Sequence, residues 1–306
     1  MDNKKGRIGV FIAAILAISV FAFAMPVVAK DPPHIPAGSA TIAIDNGIID
    51  IDVFGETYSG YNVWLYRGGS NAYYEEPLIS YGTNPPVYLS NGTVYQSYPA
   101  TGNPDVWYDA TVGLDLDGDA SDDINVTRSI MVPSGQKYFL VKYCIVNIKG
   151  SDLTNLRFFQ GVDYDAGDAG AWDEGGYAED FVWTHDLDDG YGTYVGFTGD
   201  RTSDHHSVDG FSEMWSDLVA GSLNDANYYN GDVGVGLEWD LGTLRAGETV
   251  CLTVKFAFAD SYDELRNMLG GVAVPSLTPI GLIALVGLLS VIAAVSIRTT
   301  VRKKKE

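Results

Sequence analysis

The chain has 306 residues, with 40 Asp and Glu against 19 Lys and Arg and a formal net charge of −21. Such a surface repels phosphate backbones and excludes nucleic acid as a partner, while it favours cations. With only two cysteines and no CxxC spacing, a cysteine-ligated metal site is excluded as well.

In chain order, Lys4, Lys5 and Arg7 form a basic start to an apolar run over 8–24. Pro26 breaks that run, and Val27-Val28-Ala29 offers small residues to a signal peptidase. The expectation is a signal peptide over 1–29; an uncleaved membrane helix is the alternative. Runs rich in Val, Ile, Tyr, Phe and Trp then predict strands over 41–54, 61–67, 93–98, 107–114, 124–132, 137–148, 155–162, 181–184, 192–197, 233–239 and 248–259. Turn signals join some of these, Pro133-Ser134-Gly135 and Arg245-Ala246-Gly247 among them. Short helices are predicted over 211–218 and after Ser261, where Glu264 completes a capping-box pattern ahead of Gly270. The fold class read from this is all-β, a large antiparallel β-sandwich ectodomain over 30–271 with one or two short helices.

Eight of the basic and two of the acidic side chains lie in the chain ends, which leaves 11 against 38 between them. Cys144 and Cys251 each sit in a strand-like apolar run, so they are read as a disulfide pair or as two buried thiols. Residues 272–278 form a short stalk, and 279–297 carry no charge over 19 residues. As a helix that stretch covers about 28 Å, enough for a membrane span. Arg298, Arg302, Lys303, Lys304 and Lys305 follow in a basic tail over 298–306. By the positive-inside tendency this predicts a single-pass cell-membrane protein with its ectodomain outside, using the helix as its membrane contact.

Val274-Pro275-Ser276-Leu277-Thr278-Pro279, the apolar stretch and the basic cluster together resemble the C-terminal sorting signals of archaeal surface proteins of the archaeosortase type, the PEF and PGF classes. Ser276-Leu277 departs from the Glu-Phe or Gly-Phe of those classes. The resemblance implies processing at the motif and exchange of the helix for a lipid. Farther upstream, RSIMVPSGQKYFLVKYCIVNIKGSDLTNLRFFQGVDYD over 128–165 and WDLGTLRAGETVCLTVKFAFA over 239–259 resemble galactose-mutarotase-like β-supersandwich domains.

Asp115, Asp117, Asp119, Asp122 and Asp123 alternate in a turn, where carboxylate oxygens can converge on Ca²⁺. Gly118 and Val126 depart from the EF-hand pattern, so the turn is a distinct Ca²⁺ loop or a solvated hairpin tip. Asp163, Asp165 and Asp168, with Asp173 and Glu174 beyond them, form a second acidic, Gly-rich stretch read the same two ways. His185, Asp186, Asp188 and Asp189, and Asp204, His205, His206 and Asp209, could ligate a transition metal or exchange protons. On a strand, however, His205 and His206 point to opposite faces. Asn91 and Asn125 head N-glycosylation sequons. No Ser or Cys nucleophile motif, HExxH or phosphate loop is present. Glu213, Glu238, His185 and His205 are therefore candidate acids and bases by side chain alone.

The function expected from these features is a surface structural or adhesive role with Ca²⁺-binding acidic loops, not catalysis. Envelope proteins, glycans or self-association are the expected contacts. The alternatives are a carbohydrate-binding module, to which Tyr and Trp beside Gly, Asn and acidic groups would present stacking faces, and a mutarotase-like or glycosidase enzyme.

Overall fold

Along Ile124–Met131 every second residue points inward, and the inward set is Ile124, Val126, Arg128 and Ile130. Three of these are the β-branched residues that fit a pleated, half-buried surface. Arg128 is the exception, and its burial shapes the core described below. The computed structural model describes residues 42–53, 63–66, 69–70, 74–164, 173–187 and 192–270.

Its strands are β1 (Ile42–Asp45), β2 (Ile49–Val53), β3 (Val63–Tyr66), β4 (Gly69–Ser70), β5 (Tyr74–Ser80), β6 (Val87–Tyr88), β7 (Thr93–Gln96), β8 (Tyr108–Leu114), β9 (Ile124–Met131) and β10 (Tyr138–Asn147). β11 (Leu153–Asp163), β12 (Asp173–Ala178), β13 (Phe181–Asp186), β14 (Tyr194–Gly199), β15 (His205–Gly210), β16 (Tyr228–Gly231), β17 (Val233–Leu244) and β18 (Thr249–Ala259) complete the set. A 3₁₀ turn spans Leu89–Asn91, and the helices are α1 (Phe211–Ala220) and α2 (Tyr262–Leu269).

The strands make three antiparallel sheets: nine strands in the order β16-β12-β13-β14-β18-β10-β9-β8-β7, five in the order β15-β17-β11-β5-β6, and four in the order β1-β2-β3-β4. The nine- and five-stranded sheets face each other across one hydrophobic core. Tyr143 of β10 meets Phe158 of β11 at 4.7 Å between ring centroids, and Phe158 meets Trp239 of β17 at 6.0 Å. α1 packs Met214 and Leu218 on the outer face of the five-stranded sheet, against Leu78 and Phe159. α2 packs Leu265 and Leu269 on the outer face of the nine-stranded sheet, against Phe181, Ala257 and Ala259. Ser261 caps α2 through Oγ, which accepts from the Glu264 amide at 3.3 Å, while Glu264 Oε2 reaches back to the Asp260 amide.

The antiparallel sandwich with two short helices agrees with the sequence reading, with differences of detail. The run over 41–54 is split by a turn at Gly47, whose φ of 84° suits glycine. β4, β5, β6, β12, β15 and β16 fall outside the predicted strands. Glu75, Glu76 and Pro77 in β5, and Gly175 and Gly176 in β12, are residues that strands usually avoid; here cross-sheet partners and close packing hold them.

The membrane-spanning helix is corrected. Among the described residues no helix is long and apolar enough to cross a membrane. α1, at 10 residues, is about 15 Å long, half of a bilayer core. The stretch over 279–297, the signal peptide over 1–29, the stalk and the tail lie outside the described residues. The single-pass location and the membrane contact through that helix are withdrawn with it.

Candidate functional site

The acidic turn between β8 and β9 is folded around its own partners. Asp115 accepts the amides of Gly118 at 2.7 Å and Ala120 at 2.7 Å. Asp123 Oδ2 accepts the Leu116 amide at 3.0 Å. Ligand oxygens of Asp115, Asp117 and Asp123 lie within 4.8 Å of one another, so the three could hold a metal ion. The Lys149 ammonium stands in that cluster, bonded to Asp117 Oδ2 at 2.5 Å and to Asp123 Oδ1. Tyr81 also donates to Asp117 at 3.0 Å. The hydrogen bond from Lys149 is the main reason the Asp117 pKa is lowered, and the same contacts raise that of Lys149. Asp119 turns to the Ser121 amide, and Asp122 pairs with the Tyr95 hydroxyl, so neither joins the three. Asp163 is buried at the end of β11, and Asp165 and Asp168 lie outside the described residues.

Inside the sandwich, Arg128 of β9 reaches Glu75 of β5 at 2.9 Å. Gln160 donates to Glu75 at 2.8 Å, and Tyr143 donates to Gln160 Oε1 at 3.1 Å. Burial pushes the Tyr143 pKa well above its ordinary value. This network joins the two sheets and is closed to solvent, so its role is structural.

The outer face of the five-stranded sheet carries a different arrangement. His205 of edge strand β15 is the direct cross-strand partner of Glu238 of β17. Glu238 accepts from Arg157 Nη1 at 3.4 Å, and the same guanidinium donates to the Gly221 carbonyl at 2.7 Å. Behind His205, Nδ1 lies 3.0 Å from Asp225 Oδ2. Asp225 adopts a left-handed φ of 58°, and its Oδ1 accepts the His206 amide at 3.1 Å. The hydrogen bond with Asp225 raises the His205 pKa. Burial raises that of Glu238 against the pull of Arg157 and His205. The pair is open on one side only: the side chain of His205 is 51% exposed and that of Glu238 is 5% exposed.

Around this pair, Asn224 donates to Asp209 at 3.0 Å, and Asp204 accepts the Asp240 amide at 2.6 Å. His206 points to the other face, as strand alternation requires, and stacks on Tyr177 at 3.6 Å between centroids. Glu213 sits over Gly210, at the opposite end of β15 from His205. His185 is held apart on β13, 3.2 Å from Glu174 and stacked on Tyr194 at 3.9 Å. Tyr228 donates to the same Glu174 at 3.2 Å. Asp188 and Asp189 lie outside the described residues. Of the acids and bases picked from the sequence, two therefore come together. Their supports Arg157 and Asp225 were missed, because their roles depend on strand register and a loop crossing.

Cys144 and Cys251 are opposite each other on β10 and β18 and are joined, with Sγ–Sγ at 2.11 Å. Asn91 ends the 3₁₀ turn, and Asn125 lies within β9.

No family model matches the chain. Among solved structures, a bacterial glucoamylase complexed with acarbose is similar at a TM-score of 0.54 and 10% identity, over 77% of this chain and 36% of the other. The match thus spans little more than a third of that enzyme. A putative kojibiose phosphorylase from the human microbiome follows at 0.48 and 10% identity, over 78% and 33% of the two chains. A putative aldose 1-epimerase from Escherichia coli matches at 0.41 and 8% identity, over 72% and 99% of the two chains. The glucoamylase similarity shows the fold alone. Nothing in the fold or in these similarities supports the archaeal origin or the archaeosortase motif, and both are withdrawn. The expectation of a non-catalytic protein is corrected too: the glucoamylase that shares the fold is an enzyme, and this chain sets a His and a Glu opposite each other on one sheet face.

Proposed function

We propose that the chain is a carbohydrate-active protein that takes a sugar at the outer face of its five-stranded sheet, with His205 and Glu238 as an acid–base pair. The observation that carries this reading is their register: directly opposed residues on one sheet face have Cβ atoms about 5 Å apart. Asp225 keeps the His205 imidazolium protonated to higher pH, as a donor needs. Burial makes the Glu238 carboxylate more basic than a surface one, as an acceptor needs. Opening a cyclic hemiacetal calls for such a pair: Glu238 takes the proton of the anomeric hydroxyl, His205 protonates the ring oxygen, and the ring C–O bond breaks to the open aldehyde. Asn224 lies on the same face, where its amide donates to Asp209 and its Oδ1 faces the Ser207 hydroxyl, a polar group for a sugar hydroxyl to meet.

A carbohydrate-binding module is the second reading and uses the same surface without proton transfer. The test is anomer interconversion of freshly dissolved aldoses, followed by polarimetry beside a binding titration. Acceleration that falls by about 100-fold in His205→Gln or Glu238→Gln, with binding retained, supports catalysis. Binding without acceleration leaves the module, and neither one sinks both readings.

At the acidic turn we propose Ca²⁺ as the ion that Asp115, Asp117 and Asp123 would hold, since all three offer hard carboxylate oxygens. Lys149 must then leave the cluster. The surface structural or adhesive role is not carried further, because the ion would bind within one turn of one chain, with Asp115 also held by the turn's own amides.

A further inference from the structure

We infer that Asn91, and not Asn125, is the N-glycan acceptor of the folded chain. Both head a sequon, Asn91-Gly92-Thr93 and Asn125-Val126-Thr127, and the one-dimensional pattern ranks them equally. Their places in the fold differ. Asn91 is exposed at the end of the 3₁₀ turn, and exposed Thr93 begins β7, the last strand of the nine-stranded sheet. Asn125 lies in β9, paired with Gly113 of β8 on one side and Val146 of β10 on the other. Its Oδ1 is enclosed without a hydrogen bond. Over its partner Gly113 sit Asp122 and Tyr95, so close that a Cβ there would come within 2.0 Å of Asp122 Oδ2. The hydroxyl of Thr127 is also engaged, 3.2 Å from that of Thr111 across the strands.

In the transfer, the Asn91 Nδ2 attacks the anomeric carbon of a lipid-phosphate-linked oligosaccharide. The new C–N bond replaces the sugar C–O bond, the lipid phosphate leaves, and the amide proton goes to a base of the transferase. The reaction belongs to an export compartment, where a cross-link such as Cys144–Cys251 also persists. A glycan added at Asn125 before folding would have to displace Tyr95 and Asp122 for β8, β9 and β10 to close, so folded protein is bare there. At Asn91 the glycan has a use. It stands beside β7, the last strand of its sheet among the described residues, where it would hinder pairing with a second chain, and at a cavity of about 300 Å³ lined by Asn91 itself with Thr93, Leu114, Asp115 and Asp122.

The test is glycopeptide mass spectrometry of the full chain, purified after export from an N-glycosylating host, with N91Q and N125Q beside the parent. One glycan, on the Asn91 peptide, lost in N91Q and kept in N125Q, is the expected result. A glycan on the Asn125 peptide of the folded protein, or a bare Asn91 peptide, overturns the inference.

Discussion

Replacing Glu76 with Gln should remove most of the pH dependence of stability between pH 5 and 7. Glu76 lies in β5 opposite Gly161, whose missing side chain leaves room for Trp215 and Leu218 of α1. The carboxyl is buried, with Oε1 accepting the Ser90 amide at 2.8 Å. Burial is the main reason its pKa rises from 4.5 to about 7. A carboxyl with a raised folded-state value binds its proton more tightly in the native chain than in the unfolded one. Stability is therefore greatest at acid pH, falls as pH rises from about 4.5 to 7, and stays low above that window. At about 1.4 kcal/mol per pH unit, the loss is about 3 kcal/mol. Gln keeps the shape and the acceptor without a charge to desolvate. Urea unfolding at pH 4 and pH 8 should give Glu76→Gln an advantage of about 3 kcal/mol at the higher pH and almost none at the lower. Parallel profiles for the two proteins, or a variant weaker at pH 8, would refute the reasoning.

Lys149→Met should lower the unfolding temperature in chelator, because Asp123 is left buried without its cation, and Ca²⁺ should restore the loss. Thermal unfolding with and without Ca²⁺ checks this, and a variant indifferent to the ion argues against a metal at the turn. Gly196→Ala should cost at least about 2 kcal/mol, since its Cβ would stand 2.5 Å from the Val182 carbonyl, which is backbone and cannot turn aside. Denaturant midpoints beside those of Gly118→Ala separate the causes, because that position has a positive φ but open space around it.

Where period and chemistry agree locally, the chain was readable in one dimension. β9, β10 and β18 alternate or run apolar as strands should, and both helices start near their predicted positions. The acidic turn was also visible, since its hydrogen bonds span only a few residues. β5 and β12 were not, because their Glu, Pro and Gly residues oppose strand formation until Arg128, Gln160 and the facing sheet are in place.

The sequence by itself determined the all-β class, the acidic surface, the helix cap at Ser261 and the set of residues able to exchange protons. Only the tertiary structure decided which of them meet. His205 and Glu238 are 33 positions apart and become neighbours through the β15–β17 register. Lys149, remote from the Asp run, swings into it from the far end of β10. Local patterns report the free energy of local contacts, whereas a site between strands depends on pairing that no short window contains.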